Sequence, residues 1–187
     1  MNKTQLEEAL RAAGGISKDR DLIVFGSQAI LGLVPRPPRS CLISKEVDIY
    51  PKNNYQAVAL LISKLGRRSS FAKRNSFFVD VVTPDLITVP DGWTERLVRF
   101  CTRNTGGVTG WCLEIHDLAV SKLAAGRDKD LKYIRTLLRH ELLRSGTLEN
   151  RIEDTPATPA GKQAMRARLT ELLDDLSRKP RKTARCK

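Results

Sequence analysis

The chain has 187 residues, 41% of them hydrophobic, enough for one domain with a buried core but not for two full enzyme domains, and disorder as a whole is excluded. Lys and Arg total 33 against 21 Asp and Glu, a formal charge of +12 that attracts polyanions and makes nucleic acid or nucleotide the leading class of partner. No apolar run approaches a membrane span, the first residues lack a signal-like segment, and Cys41, Cys101, Cys112 and Cys186 show no CxxC spacing. The expectation is therefore a cytoplasmic protein without a membrane partner, zinc site or disulfide framework.

In chain order, Thr4 and Glu7 form a capping box for a first helix, in which Leu6, Ala9, Leu10 and Ala13 share a face until Gly14 and Gly15 stop it. Asp21 leads into Leu22–Phe25, a run with the length of a buried strand, ended by Gly26 and Ser27; residues 28–33 are helical again. Pro35, Pro37 and Pro38, interleaved with Arg36 and Arg39, give a stiff basic loop. Glu46–Tyr50 alternates as a strand does, and Asn53 opens a helix with Val58, Leu61, Ile62 and Leu65 on one face and Gly66 at its end. A basic link over residues 67–74 precedes a strand over 77–82 that carries Asp80. Residues 96–102 and 108–115 pair as a hairpin around a turn at 104–107. Helices follow over 116–125 and 128–143, then an extended link through Pro156 and Pro159, then a helix over 161–177. The last ten residues, Arg178–Lys187, hold six basic side chains and no acid and read as a flexible tail. These elements predict an α/β fold, a small mixed β-sheet with flanking helices over 1–115 and a mainly helical C-terminal portion over 116–177, ahead of the tail at 178–187.

Glu46 and Asp48 stand two apart on a strand and so project to one face, where Asp80 of a later strand can join them. Three carboxylates brought together need a counter-charge, and their hard oxygens suit Mg²⁺, two ions in a phosphoryl-transfer site. Gly26 lets the backbone approach a phosphate, and Ser27 offers a hydroxyl and N–H groups to the same anion. In such a site one ion activates the attacking hydroxyl, the other holds the triphosphate, and pyrophosphate leaves in line from the α-phosphorus. Lys122, in an otherwise apolar helix, and Arg127 just beyond it are placed to neutralise the leaving group.

Asp80 lies between Val79 and Val81 in a strongly apolar run, a setting that makes an unpaired carboxylate costly, so a metal or hydrogen-bonding role is expected for it. Asp128 and Asp130 read as structural, the first capping a helix and the second pairing locally. His116, His140, Trp93 and Trp111 read as packing or surface residues. Arg36, Arg39, Arg67, Arg68, Lys73 and Arg74 flank the acid-bearing strands and are expected to form a basic rim for RNA phosphates.

The order Gly26-Ser27, Glu46-x-Asp48 and Asp80 resembles the catalytic signature of the DNA polymerase β-type nucleotidyltransferase superfamily. The stretch DLAVSKLAAGRDKDLKYIRTLL, Asp117–Leu138, resembles the helical segment of its bacterial branch related to AbiEii-like toxin nucleotidyltransferases. The resemblance spans about residues 20–143 and implies a nucleotidyltransferase-like domain over 1–115. It implies an Mg²⁺-dependent enzyme moving a nucleoside monophosphate from a nucleoside triphosphate to an acceptor such as tRNA or another RNA, and a toxin whose partner is a cognate antitoxin protein. Residue by residue it implies Gly26 and Ser27 for phosphate, Glu46, Asp48 and Asp80 for metal and catalysis, Lys122 for catalysis, and Lys122 with Arg127 for the triphosphate. Glu46 stands where the superfamily usually has Asp, and 18 residues separate it from Ser27, a long interval. A catalytically inactive module of the same fold, binding nucleic acid or a protein partner, is therefore the alternative.

Overall fold

Helix α1 (Lys3–Ser17) opens the chain in a computed structural model that describes residues 1–178. Cys186 and all of the basic tail beyond Arg178 lie outside the described residues. The N-cap of α1 is Asn2, whose side chain accepts from the Gln5 N–H while Gln5 accepts from the Asn2 N–H. This box lies two residues before the expected one at Thr4 and Glu7. Glu7 is instead buried and accepts hydrogen bonds from Thr102 Oγ1 and Asn104 Nδ2, each at 2.9 Å. Nor do Gly14 and Gly15 end the helix. Gly14 is there for packing, since a Cβ on it would fall 2.5 Å from a Val108 methyl.

The sheet is the mixed, five-stranded one that the α/β reading anticipates, ordered β3-β2-β1-β5-β4. Its centre is β1 (Asp21–Phe25), with β2 (Glu46–Pro51) antiparallel on one side and β5 (Thr109–Cys112) parallel on the other. Beyond β2 lies β3 (Phe78–Val81), parallel to it, and beyond β5 lies β4 (Val98–Phe100), antiparallel to it. The β4–β5 pair is the expected hairpin in a shorter form, with a helical turn at Arg103–Thr105 between its strands.

On leaving β1 the chain makes a 3₁₀ turn at Ser27–Ala29 and continues as α2 (Ile30–Leu33). Helix α3 (Val58–Leu65) starts after a 3₁₀ turn and buries Leu61 and Leu65 only; Ile62, expected on the same face, points outward. Helix α4 (Ser70–Asn75) occupies the basic link.

The C-terminal helices are α5 (Ile115–Ala125), α6 (Asp128–Arg139), α7 (Ser145–Glu153) and α8 (Pro159–Arg178). Helix α6 stops four residues short of its expected end, and α7 occupies part of the expected extended link. It is held by Leu148 and Ile152, four apart and fully buried. Asp117, wholly buried in the first turn of α5, meets Arg96 Nε at 2.9 Å and Arg151 Nε at 3.1 Å. Burial raises its carboxyl above the usual range despite both arginines. One hydrophobic cluster runs from Leu22 and Val24 of the sheet through Leu118, Leu123 and Ile134 to Leu169 of α8. Among the described residues no helix is long and apolar enough to cross a membrane.

Candidate active site

Strand alternation builds the acidic side of the site. Val47, Ile49 and Pro51 of β2 face the core, so Glu46 and Asp48 face the opposite way, into a cleft of about 1180 Å³. The register sets Asp48 beside Phe25 of β1 and beside Asp80 of β3, so an acidic row, Glu46 and Asp48 along β2 with Asp80 next to Asp48, faces the cleft. Asp80 is nevertheless exposed, contrary to the expectation from its apolar neighbours. The reason is that β3 is an edge strand, whose cleft side opens to solvent.

Asp48 is the perturbed member of the row. Its carboxyl is pushed up to about 6, first by burial and then by the charges of Glu46 and Asp80, which outweigh the pull of Lys122 and Lys129. The same carboxylate lies against the turn after β1. Gly26 there has φ of 60°, and a Cβ would fall 1.6 Å from Asp48 Oδ2, so both conformation and space require glycine. Glu46 has a partner: Arg67 Nη2 approaches its Oε2 at 3.4 Å, while the Arg67 guanidinium lies over the Phe78 ring at 4.7 Å. The pair is loose, since the arginine side chain is 74% exposed.

The basic side comes from the α5–α6 junction, where Gly126 in a left-handed conformation lets α6 fold back on α5. Lys122 Nζ donates to Asp130 Oδ1 at 2.7 Å, and Arg127 Nε donates to Asp130 Oδ2 at 2.6 Å. Asp130 is 1% exposed and Lys122 8%. Burial alone would raise the Asp130 carboxyl, but the hydrogen bonds and charges of Lys122 and Arg127 prevail and hold it below the usual carboxylate range. Lys122 also lies 4.6 Å from the centre of the Tyr133 ring, and the Tyr133 hydroxyl donates to the Ser27 carbonyl at 2.8 Å. The helical junction is thereby tied to the turn after β1.

All seven residues singled out in the sequence, Gly26, Ser27, Glu46, Asp48, Asp80, Lys122 and Arg127, line this one cleft. The contact between Arg127 and Asp130 was legible as a local pair, whereas the bond from Lys122, eight residues away across a helix break, was not. Asp128 is the first residue of α6 and does not cap it; the cap position belongs to Arg127. Of the expected basic rim, Arg67 reaches the acids. The further cations lining the cleft, Lys129 and Lys132, come from α6. Among the described residues, no group of three His, Cys, Asp or Glu side chains is arranged to hold a metal ion by itself.

A mixed sheet thus brings a row of acids and a glycine-serine turn to one cleft, beside cations from a helix junction, in a nucleotidyltransferase-like α/β fold. The chain belongs to the family described as nucleotidyltransferase of unknown function (DUF6036), which matches residues 4–171 and so takes in both the sheet and the helices. Neither a curated protein nor a solved structure matches it.

Proposed function

We propose that the chain is an Mg²⁺-dependent nucleotidyltransferase of the DNA polymerase β type, which moves a nucleoside monophosphate from a nucleoside triphosphate to an RNA acceptor such as tRNA. On the resemblance to the AbiEii-like branch, it acts as the toxin beside an antitoxin protein. The observation that carries the catalytic part is the convergence of Glu46, Asp48 and Asp80 on one cleft, with Asp48 next to Asp80 across the sheet and two residues from Glu46 along β2. Hard oxygens short of counter-charge are the donors that Mg²⁺ takes together with phosphate oxygens, and bound there the ion would neutralise phosphate charge and activate the attacking hydroxyl.

The chain's own residues divide the rest of the work. Gly26, whose missing side chain makes room for the Asp48 carboxylate, and Ser27 both line the cleft, and the Ser27 hydroxyl would donate to a phosphate bound there. The acceptor hydroxyl oxygen bonds to the α-phosphorus and gives its proton to solvent water, while the bond from that phosphorus to the bridging oxygen breaks and pyrophosphate departs with the electron pair. Lys122 and Arg127, steadied by Asp130, face the charge that accumulates on the departing group. The net charge of +12 favours a polyanionic acceptor.

One observation favours a second reading, an inactive module of this fold that binds nucleic acid or a protein partner: Glu46 already has Arg67 beside it. Incubation with Mg²⁺, each labelled triphosphate and total RNA separates the two readings. Transfer of label that is lost in Asp48→Ala and Asp80→Ala supports the enzyme. RNA affinity that is steeply salt-dependent, indifferent to those substitutions and unaccompanied by label supports the module.

A further inference from the structure

Two of the largest aliphatic side chains left in water stand at the mouth of the cleft. Ile43 is 84% exposed and Leu86 72% exposed, yet both line the same cleft as the acids. Ile43 sits three residues before Glu46 and Leu86 six residues after Asp80, so the segments leading into and out of the acid-bearing strands each carry one. Tyr55, Leu60 and Ile62, also exposed, sit on or just before α3 and outside the cleft, where scattered apolar residues need no special account. At the mouth of a cleft that holds both the acids and the cations, and that Phe25, Val82 and Ile87 also line, two such residues do need one.

We infer that Ile43 and Leu86 form the subsite for the nucleobase of the nucleoside triphosphate, an inference that rests on the nucleotidyltransferase reading above. A nucleoside triphosphate is strongly charged at one end and carries a flat, weakly hydrated ring at the other. Its phosphates match Ser27, Lys122 and Arg127, and its base then needs apolar cover within reach of the same cleft. Aliphatic side chains have no donors or acceptors, so they cover the face of a base and do not read its edge. The subsite therefore grips all four bases alike, and any choice among bases comes from other groups.

Calorimetric titration of the full chain in Mg²⁺ tests this, with each of the four triphosphates, inorganic tripolyphosphate and a short RNA oligonucleotide as ligands. The double variant Ile43→Ser/Leu86→Ser is expected to bind all four triphosphates about tenfold more weakly, with tripolyphosphate affinity and melting temperature unchanged. Ile43→Val/Leu86→Met is expected to restore binding. Unchanged triphosphate affinity overturns the subsite, as does an equal loss for tripolyphosphate, which would mean general damage. A loss confined to the oligonucleotide overturns it too, by assigning the two residues to the acceptor. Wild-type protein that binds neither triphosphate nor tripolyphosphate overturns the nucleotidyltransferase reading itself and this inference with it, whereas wild-type binding with no effect of the variants removes the subsite alone.

Discussion

The two sides of the cleft solve the problem of concentrated charge in opposite ways. On the α5–α6 side, one buried carboxylate, Asp130, meets Lys122 and Arg127 at 2.7 and 2.6 Å, so the carboxylate is matched at both oxygens, with one positive charge to spare, before any ligand arrives. On the β2–β3 side, Asp48 has Asp80 beside it and Glu46 two residues back on its own strand, and the nearest ion pair is a loose one from Arg67 to Glu46. The cations are held in place and the anions are left in mutual repulsion. The difference teaches that the acidic row is built at a cost to stability, as a site is when its missing charge is to be brought by ligand.

Asp48→Asn is the largest test of that contrast. Transfer activity is expected to fall on the order of 10³-fold, the scale on which charge stabilisation counts in phosphoryl transfer. Stability is expected to move the other way. The folded carboxyl is pushed up to about 6 from an ordinary 3.8, so in that window the folded chain keeps a proton that the unfolded chain has lost. Stability from this group therefore falls as pH rises from about 4 to about 6 and stays lowered above that. In EDTA at pH 7.5 the variant should melt at a higher temperature than the wild type, with the gain vanishing near pH 4. A lower melting temperature at pH 7.5 would show that the row is already compensated. Mg²⁺ affinity of the wild type, read by titration, should weaken below pH 6, because the ion must displace the Asp48 proton.

The matched side should respond in the reverse sense. Asp130→Ala strands Lys122 in a nearly closed site and is expected to cost about 3 kcal/mol in chemical denaturation, the range for removing one partner of a buried pair. The Asp130 carboxyl is held below its ordinary value, so its contribution is present above about pH 4 and lost as pH falls through the lowered value. Lys122→Met/Asp130→Leu should regain most of the melting temperature but none of the transfer activity. Recovery of transfer would remove Lys122 from the chemistry.

Much of this contrast was legible in the chain, for reasons that differ from place to place. Glu46 and Asp48 were readable because a strand alternates with a period that no packing context changes. The exposure of Asp80 was not, because Val79 and Val81 would look the same in a central strand, and only sheet order makes β3 an edge. The role of Asp130 was half readable. A contact three residues back to Arg127 follows from helix geometry, but the bond to Lys122 depends on how α6 folds back after Gly126. Helix α7 escaped because two residues, Leu148 and Ile152, carry its burial amid polar neighbours. Gly14 misled because close packing on Val108, and no helix stop, is what requires it.

Arg67→Ala should give the smallest effect, and it bears on the point where the two sides are least different. The guanidinium is mostly in water, so its loss is expected to change stability by less than about 0.5 kcal/mol. If the acidic row is waiting for a cation, Arg67 is a weak competitor for Glu46, and its removal should tighten Mg²⁺ binding by a few-fold while leaving the binding of tripolyphosphate to Lys122 and Arg127 alone. If Arg67 is instead the lasting counter-charge of an inactive module, the variant should show no gain in Mg²⁺ affinity and a measurable loss of stability. A gain limited to Mg²⁺ would mean that the only arginine contact described on the acids is displaced, not needed, when the site fills.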